Sequence, residues 1–490
     1  MSTLPIGRSC NFNNYKGVFC CIGETQNIRV YSSHGKFVKG IKPKDSVRYV
    51  SVRPTSWCAV DQKGYQLLPI VKKLEHKNWK VRERAILELA KLGKAAAPVI
   101  PVLRKIIYDL RNNLPNPCKI SGIEYLRDRG HLRWITAKGF NYLLIEGVFS
   151  VLKNIGQGAL PLLVSLLNDR NANIRLLASE SLKEMRIKTH TVLRSLAKNL
   201  NDHNVWVRLS VVDALYSWGT TAVPYLKIAL KDGHGWVRDR AILQLHRLGE
   251  KSIICVRDLV ILSISDPIQM IRKKSAQAVA EIAPTKAIAL LNSTLRNRRW
   301  KIRKAAVEAL RYFNSRALPL LKIALRDSSY RVRKAVVFSV YDIDASGVIA
   351  LLRRALKDRN WRVRKAAVAV LANKVVRYYP DNSYLELISL LRSALNDQNF
   401  KVRMTVVKES ERFIGLPSES KRFINELIYL MRISLKDHDW RIRKASVKRL
   451  GSLHGKAKLA FSEIKKLLID RNASVRIAAA DALYKICCVK

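Results

Sequence analysis

The chain has 490 residues, and its hydrophobic fraction of 48% is high enough for a packed core, which excludes a disordered basic tail. The 90 Lys and Arg outnumber the 38 Asp and Glu and leave a net charge of +52, so a polyanion or an anionic surface is the favoured partner. The sequence has no run of 18 uncharged apolar residues and no CxxC motif, so we predict no transmembrane helix and no zinc or disulfide framework.

The N-terminal segment, residues 1–65, lacks the periodicity of the rest of the chain. Residues 1–31 contain three basic residues and one acid among several Ser and Asn, which is typical of an organellar transit peptide. An ordinary irregular tail is the alternative. The stretch SVRYVSVRPTSWCAV at 46–60 favours an extended arm or a small β-element. We therefore predict an irregular N-terminal arm, with the mitochondrion as the compartment and the cytoplasm as the alternative.

One insertion interrupts the helical pattern that follows. The helix candidates AAAPVIPVLRKIIYDL (95–110) and FNYLLIEGVFSVLKNIG (140–156) flank residues 111–139, which are rich in Pro, Gly and basic residues. We interpret this arrangement as a single helical hairpin with an enlarged basic turn, of a length that is usually functional or disordered.

A repeated pattern runs through residues 66–490. An apolar residue followed by Arg recurs eleven times, and the Arg residues are Arg82, Arg175, Arg208, Arg238, Arg272, Arg303, Arg333, Arg364, Arg403, Arg443 and Arg476. Six residues before each of the last ten stands an acid or its amide, namely Asp169, Asp202, Asp232, Asp266, Asn297, Asp327, Asp358, Asp397, Asp437 or Asp470. Ten matches at one fixed offset indicate a repeat array.

Each repeat contains two helices joined by a short polar turn. In one repeat, VIALLRRALKD (348–358) is the first helix and WRVRKAAVAVL (361–371) is the second. At 3.6 residues per turn, the second helix carries one apolar stripe, formed by Val363, Ala366, Ala367, Val370 and Leu371. Neither helix buries its apolar face alone, so we expect neighbouring repeats to stack on a shared core.

The Asp-x-x-x-x-Val-Arg pattern resembles the signature of the HEAT-repeat superfamily, particularly its short repeats of the phycobilisome-lyase type. The resemblance covers residues 66–490 apart from the insertion. It implies an all-α fold, an α-solenoid of about twelve HEAT-like helical hairpin repeats. It implies little about function, because such solenoids serve as scaffolds, adaptors, nucleic-acid binders and occasional enzymes.

The Arg of the pattern is interpreted as structural. Arg364, for example, lies at the margin of the apolar stripe, and Asp358 stands six residues earlier in the preceding turn. We expect the two to pair and to tie each turn together, so that the pairs recur as a ladder along the repeats.

A second set of cations is predicted opposite the apolar stripe, where the second helix begins. Arg362 and Lys365 lie about 60° apart on the helical wheel and point away from the core. Equivalent helix and turn residues complete a candidate nucleic-acid-binding set, with Lys80, Arg298, Arg299, Lys301, Lys304, Arg331, Lys334, Arg359, Lys401, Arg441 and Lys444. These cations repel one another and lie at the unfavourable end of the helix dipole, so an anionic partner explains them better than folding does. An ordinary solvated face is the alternative.

An aromatic residue precedes several of these cations, and the residues concerned are Trp79, Trp300, Tyr330, Trp361, Phe400 and Trp440. Base stacking would explain them. A hydrophobic staple against the next turn explains them equally well, and we favour the staple.

Catalytic motifs are missing from the sequence. The chain has no His-Glu dipeptide, which the iron-dependent hydroxylases of this fold need, and no Walker A motif or nucleophile elbow. We predict no enzyme activity, no cofactor and no metal site.

These features together predict a non-catalytic RNA-binding scaffold that holds structured RNA along a basic edge. We expect it to be a component of a large ribonucleoprotein such as an organellar ribosome, with other proteins of that assembly as further partners. Phosphate contacts, rather than base edges, would determine the affinity. The alternatives are a DNA-binding HEAT-like protein, either architectural or similar to an alkyl-base glycosylase, and a protein–protein adaptor.

Overall fold

The structure is a computed structural model, and it describes residues 18–22, 28–32, 37–41, 67–114, 137–343, 346–378, 384–413 and 421–488. The chain divides into two compact units, residues 1–229 and residues 230–490. The candidate β-element at 46–60 and most of the basic insertion lie outside the described residues, as does much of the predicted transit peptide.

A small sheet lies near the N-terminus of the first unit. Its strands are β1 (Val18–Ile22), β2 (Ile28–Ser32) and β3 (Phe37–Ile41). They pair antiparallel in the order β1-β2-β3, with a register shift between Val30 and Tyr31. Sequence reasoning predicted no strands at these positions.

The rest of the first unit is helical in its described residues. Its helices are α1 (Leu68–Leu74), α2 (Trp79–Leu92), α3 (Ile100–Leu110), α4 (Ala137–Ile155), α5 (Leu160–Leu166), α6 (Ala172–Met185), α7 (His190–Lys198), α8 (Val205–Tyr216) and α9 (Val223–Ala229). The helices α3 and α4 correspond to the two candidates that flank the predicted insertion.

The second unit is helical throughout its described residues. Its helices are α10 (Gly235–Leu248), α11 (Val256–Ser265), α12 (Gln269–Ile282), α13 (Pro284–Thr294), α14 (Trp300–Leu310), α15 (Leu318–Ala324), α16 (Tyr330–Ser339), α17 (Ser346–Ala355), α18 (Trp361–Tyr378), α19 (Tyr384–Ala394), α20 (Phe400–Glu409), α21 (Lys421–Ser434), α22 (Trp440–Gly451), α23 (Phe461–Lys466) and α24 (Ala473–Cys488). Between residues 67 and 488 the described residues thus form 24 α-helices, and the predicted all-α fold of about twelve helical hairpins is confirmed.

The polar turn between the two helices of a repeat is built by side chains that cap the backbone. Asp358 Oδ1 accepts a hydrogen bond from the N–H of Asn360 at 2.8 Å, and Asn360 Oδ1 accepts one from the N–H of Arg362 at 2.9 Å. Such bonds satisfy N–H groups that a helix start leaves unpaired. Because the turn fixes where the second helix begins, it also fixes which residues occupy its first positions.

The core of each repeat is the predicted apolar stripe. Val363, Ala367 and Leu371 have no solvent exposure at all. Removing such side chains from water contributes about 25 cal/mol for each Å² of apolar surface and is the main force that stacks the hairpins. The predicted stripe is therefore confirmed.

The Arg of the repeat pattern joins one repeat to the next. Arg364 Nη1 donates to the backbone oxygen of Asp358 at 2.8 Å, whereas its Nε and Nη2 donate to the carboxylate of Asp397, in the following repeat, at 2.6 and 2.9 Å. We call each such bidentate bond between repeats a rung. The prediction that the two side chains of one turn pair with each other is wrong, because Asp358 offers Arg364 only its carbonyl group.

The same rung recurs in both units. The first unit contains Arg175–Asp202, and the second contains Arg238–Asp266, Arg303–Asp327, Arg333–Asp358, Arg364–Asp397, Arg403–Asp437 and Arg443–Asp470. The hydrogen bonds to the neighbouring carboxylate raise the pKa of Arg364, and those from Arg443 lower the pKa of Asp470. The hydrogen bonds of these two rungs therefore favour the charged forms of Arg364 and Asp470.

One stretch of the first unit, residues 141–166, is long and apolar enough by composition to cross a membrane. It comprises parts of α4 and α5, and Gly156 interrupts it with a backbone φ of +79°. Ile145, Val148 and Leu152 within it are fully buried in the fold. This burial is typical of a core helix.

Candidate nucleic-acid interface

Five consecutive second helices of the second unit begin with an aromatic residue followed by a cation. The pairs are Trp300-Lys301, Tyr330-Arg331, Trp361-Arg362, Phe400-Lys401 and Trp440-Arg441. The turn before each helix puts the aromatic residue at the first helical position and the cation at the second. In each of these turns an Asp or Asn Oδ1 accepts a hydrogen bond from the N–H two residues later, so these side chains occupy equivalent places in successive repeats.

Each cation from Arg331 onward lies over the aromatic ring of the preceding repeat. The Arg331 Cζ atom is 4.8 Å from the ring centre of Trp300, and Arg362 Cζ is 5.5 Å from that of Tyr330. The contact continues with Lys401 Nζ, 4.8 Å from the ring centre of Trp361, and with Arg441 Cζ, 4.3 Å from that of Phe400. We call these four cations and four rings the cation–aromatic row.

The row is held together within repeats as well as between them. Arg362 Cζ lies 4.6 Å from the ring centre of Trp361 in its own repeat, and Arg331 Cζ lies 5.0 Å from that of Tyr330. Cation–π contacts at exposed sites contribute about 0.5–1 kcal/mol each. These contacts offset part of the repulsion between successive cations, so the rings position positive charges that would otherwise spread apart.

The cations of the row are exposed, whereas its rings are half-buried. Trp361 has two cations over its ring, Arg362 and Lys401, and they take up space that a stacked base would need. The rings therefore contact the cations of the row, and neither the base stacking nor the hydrophobic staple considered from the sequence included these contacts.

Other residues of the predicted set surround the row. Arg359 Nη2 donates to the backbone oxygen of Ser328 in the preceding repeat at 3.2 Å. Four more of these residues are exposed and form no ion pair with a described residue, namely Arg298, Arg299, Lys301 and Lys365. All five add positive charge around the row.

Two further lysines of the set lie over rings of their own helices. Lys334 Nζ is 5.7 Å from the ring centre of Phe338, and Lys444 Nζ is 5.9 Å from that of Trp440. Lys80 is exposed at the second position of α2 in the first unit and does not belong to the row. The row itself therefore uses only part of the predicted set.

Two predicted cations are partly neutralised by acids. Lys304 pairs with Glu308 on the same helix at 2.8 Å, and Arg441 pairs with Asp439 at 2.7 Å. The hydrogen bond from Arg441 is the largest of the effects that lower the pKa of Asp439. The other three cations of the row form no ion pair with any described residue and are the best placed to meet an external anion, and these are Arg331, Arg362 and Lys401.

Sequence reasoning missed the contacts between repeats in this site. Helical spacing places Arg362 on the exposed side of its own helix, but it does not show that the side chain reaches Tyr330, 32 positions earlier. The sequence feature that could have indicated these contacts is the recurrence of an aromatic residue directly before a cation. A pair that keeps this order in five consecutive repeats indicates a contact between equivalent positions.

The described residues contain no group of three His, Cys, Asp or Glu side chains placed to hold a metal ion. The chemistry available along the row is the binding of anions by exposed cations and their hydrogen-bond donors.

The repeat geometry agrees with a comparison against protein-family models. The model described as HEAT repeats matches residues 159–246, 223–311, 256–339 and 317–375. Residues 159–375 are HEAT repeats.

This segment contains the rungs from Arg175 to Arg333 and the first part of the cation–aromatic row, from Trp300 to Arg362. The recurrent Asp and Arg residues therefore belong to the repeat fold.

Solved structures similar to this chain include Kap121p, with a TM-score of 0.49, 12% identity, and coverage of 86% of this chain and 52% of that chain. Kap121p bound to the SUMO protease Ulp1p gives a TM-score of 0.46 at 13% identity, with the same coverage. A structure of Kap95p with RanGDP gives 0.38 at 12% identity and covers 86% of this chain and 66% of that chain. The chain spans about half the length of Kap121p. No curated protein matches the sequence.

Proposed function

We propose that the chain is a non-catalytic scaffold that holds structured RNA along the cation–aromatic row. The HEAT-repeat fold supports the scaffold part of this proposal, because stacked hairpins offer long surfaces for binding. The RNA part rests on one observation, the row of exposed cations that neighbouring rings hold in register from Trp300 to Arg441.

The charge around the row favours a polyanion. Residues 296–377 contain 22 Lys and Arg against five acids, and the rungs neutralise only some of these cations. Nucleic acid offers a regular series of phosphates, and a protein that neutralises them gains affinity from the release of counterions. The row offers charge at equivalent places in successive repeats, so we expect contacts to phosphate and little reading of base edges.

The compartment and the assembly are part of the proposal. The net charge of +52 and the composition of residues 1–31 support a large ribonucleoprotein such as an organellar ribosome, with the mitochondrion as the compartment and the cytoplasm as the alternative.

A protein–protein adaptor is the second candidate, and exposed apolar side chains favour it. Trp236, Ile268 and Met270 lie at the starts of α10 and α12 or directly before them, and they are 57%, 44% and 55% exposed. Large apolar side chains at neighbouring turns are typical of protein-binding surfaces. An adaptor that uses them would bind its partner with little dependence on salt.

The decisive experiment removes charge from the row without adding acids. In the triple variant Arg331→Gln, Arg362→Gln and Lys401→Gln, we expect weaker binding to structured RNA because three phosphate contacts are lost. The slope of log affinity against log salt should flatten by about 0.7–0.9 for each contact. Fluorescence anisotropy over a salt series measures this slope, and circular dichroism checks that the helices remain.

The matched control removes three exposed cations that lie away from the starts of the second helices, in the variant Arg316→Gln, Lys408→Gln and Lys448→Gln. Lys408 and Lys448 lie in the last turns of α20 and α22, and Arg316 lies in the segment between α14 and α15. The control variant has the same net charge as the test variant and should keep most of the RNA affinity. Equal losses in the two variants would mean that net charge, and no particular surface, binds RNA. Preference for duplex DNA would favour the DNA-binding alternative, and retention of a protein partner at high salt without RNA binding would favour the adaptor.

A further inference from the structure

At one position in the second unit the carboxylate that would complete a rung is missing. In the other rungs of this unit, Nε and Nη2 of the Arg donate to both oxygens of an Asp, as Arg303 does to Asp327 at 2.6 and 2.9 Å. Arg272 has the same place in its repeat, but the acid position of the following repeat holds Asn297. The sequence pattern contained this exception, and its consequence depends on the surrounding geometry.

Arg272 is held in the same way as the other Arg residues of the repeat. Its Nη1 donates to the backbone oxygens of Asp266 and Pro267 at 2.7 and 3.2 Å. Arg303 makes the equivalent bonds to Asn297 and Arg298 at 2.8 and 2.9 Å. The guanidinium group of Arg272 is therefore positioned by its own turn.

Asn297 also occupies the usual acid position. Its Oδ1 accepts a hydrogen bond from the N–H of Arg299 at 2.9 Å, as Asp327 Oδ1 accepts one from Ser329 at 2.8 Å. Asn297 thus builds the turn as an Asp would, but without the negative charge. Within the described part of the chain, Nε and Nη2 of Arg272 have no hydrogen-bond partner.

Further positive charge surrounds this position. Arg298 and Arg299 follow Asn297 directly, Lys301 is the second residue of the next helix, and all three cations are exposed. A planar guanidinium with two free donors, next to a repeat whose turn and helix start carry three exposed cations, suits an anion that presents two oxygens.

We propose that Arg272 is the centre of a phosphate-binding site, in which a phosphate replaces the carboxylate that other repeats supply. The site rests on the proposed function, since in the bound state the phosphate would belong to the RNA backbone. It deepens that function by assigning one phosphate to a fixed position at the start of the basic region. The contacts along the row would involve exposed side chains.

The test restores the missing carboxylate with Asn297→Asp. The new carboxylate should pair with Arg272, raise the melting temperature and occupy the phosphate position. The probe is inorganic phosphate, with chloride at matched ionic strength as the reference, and the readout is the rise in melting temperature. We expect phosphate to stabilise the natural chain more than chloride does, and Asn297→Asp to weaken the apparent phosphate affinity about tenfold.

Asn396→Asp is the matched control. It adds the same charge at an exposed position directly before Asp397, which already pairs with Arg364. It should leave the phosphate effect nearly unchanged. Arg272→Gln, which retains Asn297, should abolish the stabilisation by phosphate. This variant removes the guanidinium donors without adding a carboxylate, so it separates the loss of the donors from the charge that Asn297→Asp adds.

Two results would overturn the site. One is a phosphate effect that is the same in the natural chain, Asn297→Asp and Arg272→Gln, because phosphate would then act on the net charge as a whole. The other is an equal loss of the phosphate effect in the control variant Asn396→Asp.

Failure of the site and failure of the proposed function are distinguishable. If phosphate stabilises the natural chain through Arg272 but structured RNA does not bind, the site stands and the RNA proposal fails. If RNA binds and responds to the row variants but the phosphate effect does not depend on Arg272, the RNA proposal stands and the site fails. A carboxylate-rich peptide that displaces phosphate from Arg272 and binds more tightly than RNA would overturn the phosphate assignment in favour of an acidic protein partner.

Discussion

The second helices that start between residues 172 and 269 differ from those that start between 300 and 440, although both sets carry rungs. Arg175 and Arg238 bind the next Asp in the first set as Arg364 does in the second. The first set begins with Ala-Asn, Val-Trp, Gly-Trp and Gln-Met, whereas the second begins each time with an aromatic residue and a cation. The rung is therefore a property of the fold, and the row is a separate feature of some repeats.

The excess of basic over acidic residues also differs between these two regions. Residues 160–282 contain 18 Lys and Arg against 11 acids, and residues 296–377 contain 22 against five. Rungs neutralise Arg in both regions, so they do not account for the difference. Exposed cations at the starts of the second helices and in the turns before them contribute much of the excess.

The most damaging change should be the loss of a rung, and it should be equally damaging in both regions. Arg364→Ala leaves the largely buried Asp397 without its bidentate partner, and Arg175→Ala does the same to Asp202. We expect each to reduce the free energy of unfolding by about 3 kcal/mol, the cost of breaking a buried ion pair. Denaturant unfolding of the two variants measures it.

Arg362→Ala is the control for this prediction, because it removes an exposed cation of the row and should cost less than about 1 kcal/mol. Arg364→Ala should keep RNA affinity below its melting temperature. If it abolished binding in a well-folded protein, the division between rung and row would be incorrect.

A smaller effect is expected from acid, at the rung between Arg443 and Asp470. Hydrogen bonds from Arg443 hold the pKa of Asp470 below its ordinary value of 3.8. A carboxylate with a lowered pKa stabilises the fold fully above its unfolded pKa, and this contribution is lost as the pH falls through the folded pKa. Asp470→Asn should therefore cost about 1–3 kcal/mol at neutral pH, and the difference from the natural chain should shrink below pH 3.8.

Unfolding titrations of both proteins from neutral pH into the acid range measure that difference. A gap that stays constant across the range would show that the Asp470 carboxylate does not stabilise the fold through its charge.

The smallest change in stability is expected when the cation–aromatic row is extended by one repeat. Lys301 occupies the position that Arg331 has one repeat later, but the preceding second helix begins with Gln269 instead of an aromatic residue. Gln269→Trp should place a ring near Lys301 and stabilise the fold by about 0.5–1 kcal/mol. Thermal unfolding measures the gain in stability. In a double-mutant cycle, Gln269→Trp should give no gain when Lys301→Gln is also present.

The sequence was sufficient for the repeat and its core, because a fixed period and a helical stripe are local properties. Val363 and Leu371 are buried as the helical wheel predicts. The rung partner was assigned to the wrong repeat, because Arg364 has one Asp six residues before it and another 33 residues after it, and spacing cannot show which carboxylate is nearer. The contact between Arg362 and Tyr330 was missed for a similar reason, since it depends on the distance between stacked hairpins.

The rung has a direction. In each rung the Arg is fixed by a carbonyl group of its own turn and reaches forward to the next hairpin. Arg476, in the last described hairpin, bonds to the backbone oxygens of Asp470 and Arg471 in its own turn. A hairpin that lies between two rungs therefore presents an acceptor on one side and a donor on the other. A gene segment that encodes one such hairpin can be duplicated or deleted, and the neighbouring hairpins still present an Arg donor opposite an Asp acceptor. The length of the basic surface can therefore change in evolution while the bonds between hairpins are retained.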